Sequence, residues 1–175
     1  MPSPFIGTDG DDSLTGTTGD DLFDLGRGND TARALEGNDT AYDGDGNDEL
    51  YGGKGSDVLT GGGGHDVLQG DGGGDRFMFV LAPEGGANTV TIVDFTSRSD
   101  KLALSATVFA AVGTQVNNSE FVTGTAAQDT NDFLIYDPAT GNLMYDSDGS
   151  GTMAAEMIAH LQPGLTLSFY DFTVF

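Results

Sequence analysis

Eight aspartates recur nine residues apart, Asp12, Asp21, Asp30, Asp39, Asp48, Asp57, Asp66 and Asp75, and each follows a glycine by two positions. Carboxylates held at a fixed period can do one kind of chemistry well, which is to share hard cations. If the chain coils so that one turn lies over the next at strand spacing, like-charged groups come to about 5 Å, where they repel by roughly 3 kcal/mol at an effective dielectric near 20. A cation between the rungs removes that cost. The donors on offer are carboxylate and turn-carbonyl oxygens, with two histidines and no cysteine in the chain. An all-oxygen set selects Ca2+ over zinc or copper, and Mg2+ fits less well because it demands a compact octahedron and keeps its water.

The elements that must position these groups follow from the same period. From Gly7 the sequence divides without gaps into eight blocks of nine: GTDGDDSLT, GTTGDDLFD, LGRGNDTAR, ALEGNDTAY, DGDGNDELY, GGKGSDVLT, GGGGHDVLQ and GDGGGDRFM. The fourth position is always glycine, the sixth always aspartate, and the eighth always apolar: Leu14, Phe23, Ala32, Ala41, Leu50, Leu59, Leu68, Phe77. Early glycines permit positive φ and let carbonyls turn inward. A lone apolar residue in a short extended segment faces a core while its neighbours face out. One block is therefore a turn plus a strand, and two blocks make a coil of 18 residues. Equivalent turns lie two blocks apart, so one edge should carry Asp12, Asp30, Asp48 and Asp66, the other Asp21, Asp39, Asp57 and Asp75. Three gaps on each edge allow up to six interior cation sites. The expected fold class is all-β: a right-handed parallel β-roll, or β-solenoid, over residues 7–78, after a tail at 1–6 and before a β-rich cap at 79–175.

The blocks resemble the RTX nonapeptide repeat G-G-x-G-x-D-x-U-x, which GGKGSDVLT and GGGGHDVLQ match in full. The resemblance implies Ca2+ held by the aspartates and by carbonyls of the glycine turns, here those of Gly44, Gly46, Gly53, Gly55, Gly62 and Gly64. Leu25, Ala34-Leu35, Asp43 and Asp71 replace consensus glycines, which predicts the weakest sites around Asp39. With Ala32 and Ala41 the inward stack is thin there, and Phe23 or Leu35 is expected to fill it.

Beyond Met78 the period stops. Residues 89–93 and 101–104 read as strands, and 105–132 as a loop or short helix near Val108-Phe109. Residues 133–145 read as a hairpin around a Pro/Gly turn. Thr91-Ile92-Val93-Asp94-Phe95 with Asp100-Lys101-Leu102 resembles the segment that closes the roll in serralysin-type exoproteins, so Asp94 and Asp100 could cap the last rung; as ordinary turn aspartates they would look the same. Asp146-Ser147-Asp148-Gly149-Ser150-Gly151 begins like an EF-hand loop, but Met157 stands where the bidentate glutamate is required. Asp171-Phe172-Thr173-Val174-Phe175 resembles the uncleaved signal of type I secreted RTX proteins.

Composition bounds the function. A formal charge of −22, from 28 acidic and 6 basic residues, makes a compact chain repel itself and argues against nucleic acid and anionic membranes as partners. No apolar run is long enough to span a membrane. The sequence has no HExxH, nucleophile-elbow or P-loop motif. The leading expectation is a non-enzymatic calcium module, secreted from a Gram-negative bacterium by type I machinery and folding on Ca2+ outside the cell, alone or behind an N-terminal catalytic domain. A second is a polysaccharide-binding module like the accessory rolls of alginate epimerases, using Arg27, Arg33, Lys54, Arg76, Arg98 and Lys101. A third is a small enzyme using Asp132, Asp137 and Asp146.

Overall fold

The computed structural model describes residues 4–175. Within the repeats each block forms one short strand, entered directly after its aspartate except at β8, which begins one residue before Asp66. The strands are β1 (Phe5–Ile6), β2 (Ser13–Thr15), β3 (Leu22–Asp24), β4 (Thr31–Arg33), β5 (Thr40–Tyr42), β6 (Glu49–Lys54), β7 (Val58–Gly61), β8 (His65–Gly72) and β9 (Arg76–Phe79). Each pairs in parallel with the strand two blocks away. Leu14 sits over Ala32, Ala32 over Leu50 and Leu50 over Leu68. On the facing sheet Phe5, Phe23, Ala41, Leu59 and Phe77 are in line. The eighteen-residue coil expected from the sequence is thus the observed unit.

The sheets run on past the repeats. β10 (Thr89–Ile92) pairs with β8 and β11 (Lys101–Leu104) with β9, both parallel. After β12 (Phe121–Thr123), the hairpin of β13 (Leu134–Asp137) and β14 (Asn142–Tyr145) leads antiparallel into β15 (Glu156–His160). β15 then lies parallel to β10, and β16 (Phe172–Val174) parallel to β11. The result is a seven-stranded sheet ordered β1-β3-β5-β7-β9-β11-β16 facing a nine-stranded one ordered β12-β13-β14-β15-β10-β8-β6-β4-β2. Asp171, fully buried, fixes the last strand: its carboxylate accepts from the Ser97 hydroxyl, the Arg98 amide at 2.7 Å and the Ser168 amide at 2.8 Å. Among the described residues no helix is long and apolar enough to cross a membrane.

Two details differ from the sequence reading. Phe5–Ile6, expected as tail, adds a strand because the Phe5 ring stacks on Phe23 at 4.8 Å and extends the inward column; residues 1–3 of that tail lie outside the described residues. The thin layer at Ala32 and Ala41 is filled by Phe23, as expected, together with Leu25 and Ala34, both buried. Leu35 instead points outward and is 44% exposed. The first position of each block faces in, so a side chain there joins the core, whereas the second lies on the turn.

In five of the eight blocks that second position takes the left-handed backbone region: φ is +97° at Gly26, +99° at Gly44, +102° at Gly53, +83° at Leu35 and +62° at Asp71. A residue with a Cβ is held there at a cost of roughly 1–2 kcal/mol, partly offset by the freedom glycine brings to the unfolded chain. Leu35→Gly is therefore expected to stabilise the folded protein by about 0.5–1 kcal/mol, read as a higher urea midpoint. A lower midpoint would mean the turn is not strained.

Candidate metal centre

Each repeat aspartate stands where a turn enters a strand, so coil stacking converts the nine-residue period into two columns of carboxylates. The columns are tied by one repeated hydrogen bond, from the backbone amide of an aspartate to Oδ1 of the aspartate one coil on. On one edge Asp12 donates to Asp30 at 2.8 Å, Asp30 to Asp48 at 2.6 Å and Asp48 to Asp66 at 3.2 Å. On the other, Asp21 donates to Asp39 at 2.7 Å, Asp39 to Asp57 at 2.8 Å and Asp57 to Asp75 at 2.9 Å. These are the two edges the sequence implies.

The second oxygen decides the chemistry. Oδ2 of Asp30, Asp39, Asp48, Asp57 and Asp66 is buried and has no hydrogen-bond partner. A buried ionised oxygen left unpaired is strongly disfavoured, so each needs either a proton or a cation. The donor set is oxygen throughout, and the repeated orphans fit Ca2+ placed between coils. Asp12 and Asp21 differ: their Oδ2 atoms accept from the amides and hydroxyls of Thr8 and Thr17. The sequence reading placed the weakest sites around Asp39 and did not set Asp12 and Asp21 apart; the threonines two residues before Gly10 and Gly19 are the signal it passed over.

The glycine turns stack too closely for side chains. A Cβ on Gly46 would stand 1.7 Å from the Gly28 carbonyl oxygen, and one on Gly55 1.6 Å from that of Gly37. Similar obstruction by carbonyl oxygens meets Gly44, Gly53, Gly62 and Gly64, so all six named glycines line the stacked turns where inward carbonyls were expected.

Asp100 takes the next rung of the second column, accepting the Asp75 amide on Oδ1 at 3.0 Å. Asp94 sits one step aside, with its two oxygens on the amides of Gly70 and Asp71. The first column has no such extension, because Val90 stands in register with Asp66. Asp43, read from sequence only as a lost glycine, is buried, and one carboxylate oxygen from each of Asp43, Asp48 and Asp66 lies within 4.8 Å of the others. The non-repeat aspartates are spent locally: Asp132 accepts from Gln128 and Asp129, Asp137 from Ala139 and Thr140, and Asp146 from Asp148. In the EF-hand-like stretch Asp148 Oδ2 closes its own loop on the amides of Thr152 and Met153. His65 shares a 2.6 Å hydrogen bond with Thr89, and His160 one of 3.0 Å with Asn142.

Stacked parallel coils with a carboxylate column on each edge define a β-roll. Residues 6–41 and 42–77 each match the family model of the RTX calcium-binding nonapeptide repeat (4 copies), and the repeats of this chain are of that family. Among solved structures, the chain is similar to the AlgE6R3 subunit of the Azotobacter vinelandii mannuronan C5-epimerase, at 22% identity over 98% of this chain and 82% of that one, with a TM-score of 0.50; this bears on the fold alone. The AlgE6R2 subunit of the same epimerase aligns at 27% identity over 97% and 91%, with a TM-score of 0.45. Comparison with curated proteins gave no match.

Burial pushes the ladder carboxyls upward, with neighbouring carboxylates adding to it: Asp39 and Asp48 to about 6, Asp66 to about 7. Asp75 also rises to about 6, and Asp43 to about 9, chiefly by burial and then by the charges of Asp66 and Asp48. An unfolded chain holds these protons only near pH 4. Without a cation, the folded form binds protons more tightly than the unfolded one, so their contribution is fully present below about pH 4 and is lost as pH rises through 6 and beyond. In metal-depleted buffer, circular dichroism should show more β structure at pH 4 than at pH 8. In excess Ca2+ the ladder should lose ions, and stability, on acidification, because the ligands must be deprotonated. A β content in metal-depleted buffer that rises with pH would contradict the buried-carboxylate account.

Proposed function

We propose that the chain is a non-catalytic calcium-responsive module whose folding waits for Ca2+, and that it serves export and folding of a type I secreted protein. The observation that carries this reading is the row of buried Oδ2 atoms without partners on two parallel edges. With −22 charges and scarce free Ca2+, as in a bacterial cytosol, repulsion along the ladders keeps the chain open. Outside, the ion binds only the stacked turns and shifts the equilibrium by mass action. Each site whose dissociation constant is about one-hundredth of the ambient Ca2+ adds about 2.7 kcal/mol. Neighbouring coils share their rungs, so the roll closes cooperatively, as in other one-dimensional stacks. In this reading residues 7–78 are the ion-dependent roll, and 79–175 cap its end and cover the strand edge.

Circular dichroism during a Ca2+ titration tests the proposal. The wild-type chain should pass from largely unstructured in chelator to β-rich in one cooperative step. Asp57→Ala and Asp66→Ala should each move the midpoint severalfold upward, while Asp12→Ala, whose Oδ2 is already held by Thr8, moves it less. A chain equally structured in chelator would sink the coupled-folding role.

A second reading, binding of an acidic polysaccharide, has one observation in its favour. The Arg33 guanidinium lies 4.9 Å over the Tyr51 ring on the outer face of the nine-stranded sheet, a cation beside a flat surface on which a sugar could stack. Against it, Arg27 is paired with Asp45 and Lys54 with Glu36, and Lys101 donates to the Tyr170 carbonyl. Calcium-dependent retention on an alginate column that is abolished by Tyr51→Ala would favour this reading; passage in the void volume would reject it.

A further inference from the structure

Asp43 breaks the repeat in a chemically specific way. At the first position of the other three blocks on its edge stand Gly7, Leu25, which packs into the core, and Gly61. This position adjoins the second oxygen of the aspartate in its own block. A Cβ on Gly61 would lie 3.2 Å from Asp66 Oδ2, and one on Gly52, across the roll, 2.3 Å from Asp57 Oδ2. A carboxylate at position 43 therefore arrives beside Asp48, at the gap that Asp48 shares with Asp66.

Its placement is fixed. Asp43 Oδ1 accepts from the Gly44 amide at 2.8 Å and the Gly62 amide at 2.6 Å, one from its own turn and one from the next coil. Oδ2 is left without a partner, as are Oδ2 of Asp48 and Asp66, and each of the three residues is only 1% exposed. One oxygen from each lies within 4.8 Å of the others. An ordinary gap lies between two ladder carboxylates, each shared with the gap beyond it. This gap presents three. The third carboxylate adds a buried negative charge that the other gaps lack, and attraction to it grows with the charge of the ion, so a trivalent ion gains more from it than a divalent one. Hard oxygen donors and a high ligand charge count are what raise affinity for ions of calcium-like size.

We propose that Asp43, Asp48 and Asp66 form a three-carboxylate cation site, distinct from the other gaps, that fills first and takes a trivalent lanthanide ahead of Ca2+. This deepens the calcium reading of the ladders and rests on it.

The test is a Eu3+ titration of the full chain, followed by metal luminescence and its lifetime, in competition with Ca2+. Wild type should show one tight class of about one equivalent, with few inner-sphere waters, that resists a large Ca2+ excess. Asp43→Asn keeps the oxygen that accepts from Gly44 and Gly62 and removes only the charge. It should lower the Eu3+-over-Ca2+ preference about tenfold or more, while the Ca2+-driven circular dichroism step persists. Asp43→Gly, which restores the consensus residue, should do the same, and Asp45→Asn, which removes a nearby exposed charge outside the columns, should leave the tight class intact. A retained calcium step with unchanged preference in both Asp43 variants overturns the site alone, as does equal loss in Asp45→Asn. Tight Eu3+ binding that depends on Asp43, in a chain with no calcium-driven step, keeps the site and removes the folding role.

Discussion

The structure turns on one conflict: carboxylates are buried in columns where neither water nor a protein donor reaches their second oxygen. From the second coil on, one oxygen of each ladder aspartate is used by the backbone of the coil before it, a bond that fixes the stacking register and the rotamer together. The other is left over as a consequence. The hydrogen bond that aligns the coils is thus the same feature that creates a demand for positive charge. Register and the demand for positive charge cannot be separated in this design, and a chain that met the demand with internal donors would need no cation there. The first two rungs show that alternative, because Thr8 and Thr17 complete the shells of Asp12 and Asp21.

The glycines serve the same conflict from the backbone side. Coils can approach closely only where no Cβ intervenes, and the turns tolerate departures according to which way a position faces. Leu25 and Ala34 are accommodated because the first position looks into the core, where they add apolar contact to a layer otherwise filled by Ala32 and Ala41. Leu35 and Asp71 stand in the left-handed region on the turn, at φ of +83° and +62°. Sequence departures that look equivalent in a consensus are therefore different physically. One adds packing, another adds strain, and Asp43 adds a charge.

What was legible in the sequence was whatever repeats. Coil length, strand positions, inward column and the division of aspartates between two edges all follow from a period that must be satisfied simultaneously at positions four, six and eight. Less legible was whatever depends on an unrepeated neighbour. Asp100 joins the second column from a coil 25 residues long rather than 18, so no spacing rule marks it. Asp43 carries no meaning until Gly62 and Asp66 are brought beside it. Phe5 belongs to the roll only because its ring meets Phe23. The hairpin at 134–145 was readable from its turn, but the return of β15 and β16 to the two roll sheets joins segments about 70 residues apart, and local pattern does not encode that.

The two edges end differently, and this bears on how charge is shared between them. The column through Asp21, Asp39, Asp57 and Asp75 passes into the cap at Asp100, so folding of the non-repeat region completes its last rung. The column through Asp12, Asp30, Asp48 and Asp66 stops at Val90, an apolar residue that cannot extend it. Asp43 lies on this shorter edge and restores the carboxylate count to five on each side. The irregularity in the repeat and the irregularity at the cap thus offset one another. Both edges present the same formal charge to the ions between coils, although one reaches it by length and the other by crowding three carboxylates into a single gap.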